Sequence, residues 1–232
     1  MRFDEWEPVY EAILADFGFD RRGDERARDV LAGLVGDAAT LSPADLDFTG
    51  ETVAIAGAGP SLASSVDRAT SADSVVAASD AAAVLREHGV EPTAYVTDLD
   101  AETELAAELS AAGAPVAVHA HGDNVPALRE QVPALAFESV LPTTQAAPAA
   151  PVYNPGGFTD GDRAAFLADH CGATDLTFLG WDFDAPDAGS TKRRKLRWAE
   201  RLLRWLERRR GERFAVLDGR RDAIDESPLP DG

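Results

Sequence analysis

The chain has 232 residues, 45% of them hydrophobic, one cysteine and a net charge of −19. That length can bury one sizeable core, while the single Cys171 excludes an internal disulfide, a zinc ribbon and an iron–sulfur site. No apolar run reaches the roughly 20 residues of a membrane helix, and so acidic a chain repels nucleic acid, so any phosphate ligand must be met by local cations or a metal.

Residues 1 to about 48 read as a helical region. Trp6, Val9, Tyr10, Ile13, Leu14 and Phe17 fall at helical spacing, and Gly18 closes the pattern. A second helix is predicted from Arg22 to about Leu34, ended by Gly36, and Ser42-Pro43 starts a short element. This segment is expected to form a small cap, and it carries no recognisable motif.

From Glu51 the texture becomes strand, turn, helix, strand. Strands are predicted at Thr52–Ala56, Ser74–Ala78, Ala94–Thr97 and Pro115–His119, then at Ala134–Val140 and Leu176–Leu179, with a further one at Arg213–Leu217. Helices are predicted at Leu62–Ala69, Ala81–His88, Glu102–Ala112, Val125–Gln131, Asp160–Cys171 and Arg193–Arg210. Short strands alternating with helices imply an α/β fold, a mostly parallel Rossmann-like sheet in three layers. The expected organisation is a cap over 1–48, a catalytic domain over 49–224 and a frayed tail over 225–232.

Polar residues gather where the first four strands end. In open α/β sheets ligands bind beyond the carboxyl ends of the strands, so these groups share one rim. The first strand ends in Gly57-Ala58-Gly59-Pro60-Ser61, which is either a phosphate-contacting turn or a tight strand-to-helix joint. It lacks the third glycine of a dinucleotide fingerprint, since Leu62 stands there, which argues against a nicotinamide dehydrogenase. The second ends in Ser79-Asp80. The third ends in Thr97-Asp98-Leu99-Asp100, whose paired carboxylates suit a divalent cation, although Asp100 alone could cap the next helix. The fourth ends in His119-Ala120-His121-Gly122-Asp123-Asn124: a zinc-binding histidine pair, polar contacts to a substrate, or a capped turn. Farther along, Asn154 to Arg163 contains Gly156-Gly157 and then Thr159, Asp160 and Asp162, either a second anion or metal site or an N-cap with acids in its first turn.

Acids outnumber basic residues by 41 to 22, and lysine occurs only at Lys192 and Lys195. The first pattern is that of a halophilic protein whose carboxylates stay solvated in concentrated salt. The second makes Thr191 to Arg197 either a triphosphate clamp or the basic start of an amphipathic helix. Met1 to Trp6 shows no basic leader before an apolar stretch, so a cytoplasmic location is expected.

Taken in order, Gly59-Pro60-Ser61-Leu62, Ser79-Asp80-Ala81, Thr97 to Asp100, His119 to Asn124, Gly157 to Arg163 and Gly180-Trp181-Asp182 resemble the archaeal 6-hydroxymethyl-7,8-dihydropterin diphosphokinases, over about residues 50 to 200. The resemblance implies a thiamin pyrophosphokinase-like fold. It implies transfer of diphosphate from ATP to a reduced pterin with Mg²⁺, in folate- or methanopterin-type coenzyme synthesis. It implies that Asp98 and Asp100 hold the metal, with Thr159, Asp160 and Asp162 completing the metal and phosphate site. Asp80, the first loop through Gly59, Pro60 and Ser61, and the fourth-strand residues His121, Asp123 and Asn124 match family motifs. A phosphate role for Lys192, Lys195 and Arg197 rests on charge alone. The general base is Asp123 or a metal-site carboxylate. The residues leave three rivals open: thiamin pyrophosphorylation on the same fold, a sugar-nucleotide site, and a nucleotide-binding module without catalysis. A homo-oligomer is left open as well.

Overall fold

The computed structural model describes residues 1–100, 103–184 and 189–230. Its centre is a six-stranded sheet, all parallel, in the order β5-β4-β3-β2-β1-β6. The strands are β1 (Thr52–Ala56), β2 (Ser74–Ala78), β3 (Ala94–Thr97), β4 (Val116–Ala120), β5 (Val140–Thr144) and β6 (Asp175–Leu179). Most read as near-continuous Val, Ala and Ile because both faces are covered.

Side chains alternate between two cores. Val53 and Ile55 of β1 face a layer built from α1 (Phe3–Phe17), α7 (Asp160–His170) and α8 (Ser190–Arg210). Ala54 and Ala56 face the opposite layer: α2 (Arg21–Val35), the short α3 (Leu62–Ser65), α4 (Ala81–Glu87), α5 (Thr103–Ala111) and α6 (Val125–Gln131). The first two helices therefore belong to different layers. Gly18 ends α1 at a φ of 70° that a side chain would strain, and the Asp20 carboxylate caps α2 by accepting from the Arg22 N–H at 3.1 Å. The corner between them passes the carboxyl ends of the strands.

Three predicted elements take another form. The strand expected at Ala134–Val140 is instead β5, starting at Val140 and running through Pro142. Val132–Ala134 and Phe137–Ser139 are single 3₁₀ turns. Proline is tolerated there because β5 is the sheet edge, with one side unpaired by a strand. The segment Arg213–Leu217 is not a strand but a loop and a 3₁₀ turn, because the Phe214 N–H donates to the Glu207 carboxylate of α8 at 2.6 Å. The helix expected over Leu62–Ala69 has only four α-helical residues before a 3₁₀ stretch. There the Ser65 hydroxyl donates to the carbonyls of Ser61 and Leu62, competing with the backbone ladder.

The tail up to Pro230 lies along α8: Glu226 accepts from Arg204 at 3.0 Å, and Leu229 is buried. The start of the helix predicted from Glu102, part of the loop before Ser190 and the last two tail residues lie outside the described residues. No helix among the described residues is long and apolar enough to cross a membrane.

Candidate active site

A cavity of about 680 Å³ opens over the carboxyl ends of the strands, within the usual size range of small-molecule sites. Its floor is the β3 turn. Leu99 takes a φ of 65°, a left-handed conformation that costs about 1–2 kcal/mol for a residue with a side chain. The turn is locked by its neighbours. Leu99 N–H donates to the Thr97 hydroxyl at 2.9 Å, Gln131 donates to the Leu99 carbonyl at 2.9 Å, and Asn124 donates to the Asp98 carbonyl at 2.8 Å. Leu99 is thereby buried in the core, while Asp98 and Asp100 both line the cavity.

The first residue of α7 completes the cluster. Carboxylate oxygens of Asp98, Asp100 and Asp160 all lie within 4.8 Å of one another. Among the described residues, the side chains paired with these acids are fewer than the acids. Arg163 donates to Asp160 at 2.8 Å and stands 3.7 Å from Asp98, and His121 Nε2 bonds Asp98 at 3.1 Å. Burial pushes the Asp98 carboxyl up, but the His121 hydrogen bond and the Arg163 charge outweigh it and hold the group well below the usual range. Its neighbours absorb the repulsion. The hydrogen bond to Asp98, then burial, raises Asp100 to about 6; burial, then the Asp98 charge, raises Asp160 to about 7. Three converging carboxylate oxygens, two of them in groups whose pKa is raised by mutual repulsion and burial, fit a hard divalent cation such as Mg²⁺.

Asp162, two residues on, does different work. Its carboxylate is fully buried and accepts from the N–H groups of Phe158 and Thr159 and from the Thr159 hydroxyl at 2.6 Å. It closes the capping box of α7 and is absent from the cluster. Thr159 lines the cavity, with its hydroxyl committed to Asp162.

The Gly57–Ser61 turn also borders the cavity, but the N–H groups of Gly57, Gly59 and Ser61 and the Ser61 hydroxyl are used within the protein. Gly57 N–H donates to the Leu179 carbonyl and Gly59 N–H to the Gly180 carbonyl. Ser61 donates to Asp182 Oδ2 from both its N–H, at 2.9 Å, and its hydroxyl, at 2.7 Å. A Cβ at Gly59 would overlap Asp182 Oδ2 and the Gly180 carbonyl, so glycine is needed for close approach of β1 and β6 loops.

The remaining predicted residues divide. Lys192 and Lys195 of α8, with His121 and Asp123, line the cavity, and the Lys195 charge works against the rise at Asp100. Asp80 is exposed at the start of α4 and is not among the lining residues. Asn124 is buried and staples β4 to β3 by donating to the carbonyls of His119 and Asp98. His119 is buried and bonds Thr143 at 3.1 Å; burial, then the Arg163 charge, keeps it neutral. His119 and His121 therefore have separate partners, with ring centroids 6.3 Å apart.

Sequence reasoning missed a whole wall. Phe19, Asp20, Gly23 and Asp24 from the α1–α2 corner line the cavity, as does Gln145 after β5; Trp181, from the Gly180-Trp181-Asp182 motif, lines it with Phe183 after β6. Trp181 is oriented by donating Nε1–H to the Ile55 carbonyl at 3.1 Å.

Fold and site together define a class: a doubly wound α/β protein with acids and lysines facing one cavity at the strand ends. The 6-hydroxymethylpterin diphosphokinase MptE-like family model matches residues 38–188. A protein of Methanothermobacter thermautotrophicus is 41% identical over 220 residues, 88% of this chain and 94% of that relative. One from Pyrococcus furiosus is 37% identical over 225 residues (89% and 95%), and one from Methanocaldococcus jannaschii 31% over 232 residues (89% and 96%). All three are named 6-hydroxymethyl-7,8-dihydropterin pyrophosphokinase. The chain belongs to the 6-hydroxymethylpterin diphosphokinase MptE-like family.

Proposed function

We propose that this chain transfers diphosphate from ATP to 6-hydroxymethyl-7,8-dihydropterin, releasing AMP. The observation that carries the reading, beside the family, is the Asp98, Asp100 and Asp160 cluster facing Lys192 and Lys195 across one cavity. The pterin hydroxyl oxygen attacks the β-phosphorus. The bond from that phosphorus to the oxygen bridging the α-phosphate breaks, that oxygen leaves with AMP, and the hydroxyl proton is lost. Such transfers depend on positioning and charge neutralisation more than on covalent help from the protein.

Asp98, Asp100 and Asp160 would hold Mg²⁺, which when bound neutralises phosphate charge and holds the triphosphate in place. Lys192 and Lys195 add positive charge from α8. Arg163 keeps Asp160 and Asp98 oriented. Asp123, exposed at the mouth, is the proposed acceptor of the hydroxyl proton. Trp181 and Phe183 offer an aromatic wall to one of the two flat rings. The acidic surface supports work in concentrated salt.

The test is AMP release from ATP, with Mg²⁺ in high salt, on addition of the pterin or of thiamin in separate reactions. AMP with the pterin alone is expected. AMP with thiamin alone would move the activity to the related fold's chemistry, and ATP binding without AMP from either would make the chain a binding module.

A further inference from the structure

The unassigned wall of the cavity holds an unusual group. Asp24, in the first turn of α2, is only 4% exposed. An acid there suits the helix dipole, but that explains neither its burial nor its partners. Its three donors are all neutral: Tyr10 hydroxyl at 2.8 Å, Gly122 N–H at 2.7 Å and Gln145 Nε2 at 2.8 Å. Burying a carboxylate without a paired cation is costly, and a neutral side chain would hold two helices together more cheaply. Yet a carboxylate accepts from all three donors at once, which the single oxygen of an asparagine does not.

Two of the three partners, Gln145 and Gly122, lead to the acidic cluster, while Tyr10 ties Asp24 to α1. Gln145 turns its Oε1 to Arg163 at 3.2 Å, and Arg163 holds Asp160 at 2.8 Å. Gly122 follows His121, whose Nε2 bonds Asp98 at 3.1 Å. With its amide N donating to Asp24, Gln145 can present only its oxygen to Arg163; a flipped amide would set donor against donor. Asp24 thus fixes the amide orientation on one branch and the turn carrying His121 on the other.

We infer that Asp24 is a positioning residue: through Gln145 and the His121–Gly122 turn it sets Arg163 and the carboxylate cluster, making the N-terminal helical pair part of the catalytic machinery. The inference deepens the proposed diphosphoryl transfer and rests on that reading for its kinetic arm only.

The experiment compares wild type with Asp24→Asn and Gln145→Ala. Mn²⁺ binding is followed by electron paramagnetic resonance without substrates, then kcat and both KM values are measured, with thermal unfolding as a fold control. Outer-shell partners of metal ligands typically change affinity or activity by about 10–100-fold. Weakening of Mn²⁺ binding and loss of kcat in that range are expected in both variants, with KM for ATP and pterin changed less. Folded variants with wild-type Mn²⁺ affinity and kcat would overturn the inference. If Asp24→Asn does not fold, normal values in Gln145→Ala would overturn the Arg163 branch of the inference, because that variant cuts the link to Arg163 and leaves the Asp24 carboxylate in place on Tyr10 and Gly122. A wild type inactive on the pterin would defeat the functional reading and leave the Mn²⁺ arm intact.

Discussion

Two turns on the same rim, Gly57–Ser61 after β1 and Asp98–Asp100 after β3, are both short and polar, and the structure treats them oppositely. In the first, backbone donors end on Leu179, Gly180 and Asp182. The Asp182 carboxylate occupies the position at Ser61 that an anion would take. In the second, a strained Leu99 brings Asp98 and Asp100 toward Asp160, and among the described residues Arg163 is the arginine paired with these three carboxylates. A turn whose polar groups are satisfied internally is a joint. A turn that gathers like charges at the expense of backbone strain is where we propose that a cation binds.

The largest effects should fall on the second turn and on α7. Asp98→Asn or Asp160→Asn should lower turnover by about 100–1000-fold and leave the fold intact, since each removes a carboxylate from the proposed cation site. Asp162→Ala should show the reverse pattern. Losing a buried carboxylate that satisfies two N–H groups and a hydroxyl should reduce stability by about 2–4 kcal/mol, read as a lower unfolding midpoint. A stable but inactive Asp162→Ala would return this residue to the phosphate site.

Smaller effects should follow on α8. Lys192→Ala or Lys195→Ala should raise the KM for ATP about tenfold, the size of one charge-assisted contact, and change the pterin KM less. An unchanged ATP dependence would make these lysines a solvated helix face. The smallest effect belongs to the first turn. Asp182→Asn should cost about 1 kcal/mol of stability and leave the KM for ATP near wild type. A tenfold change in that KM would mean the glycine turn contacts phosphate after all.

The rim was legible because strand pattern and motif coincide. Thr52–Ala56, Ser74–Ala78 and Ala94–Thr97 form strands with the bounds their apolar runs suggest, and their ends carry the polar residues. What escaped was decided by partners far away in sequence. Nothing near Asp182 tells that it bonds Ser61, 121 positions earlier, and nothing near Asp24 tells that it meets Gln145. Asp160 and Asp162 looked equivalent by spacing, but on a helix residues two apart face different ways, so one enters the cavity and the other turns back to the cap. Pro142 hid the true span of β5, because an edge position is a property of the sheet and not of the local sequence.

The most direct test is calorimetric titration of Mn²⁺ into wild type and Asp98→Asn at pH 7, in buffers of different ionisation enthalpy. Asp100 and Asp160, raised to about 6 and 7, compete with the cation for their oxygens, so binding should release protons and tighten as pH rises from 6 to 8. The account predicts proton-releasing binding in wild type that is weakened in Asp98→Asn. Binding without proton release, or equal binding by both proteins, would contradict the claim that this cluster is the cation and phosphate site.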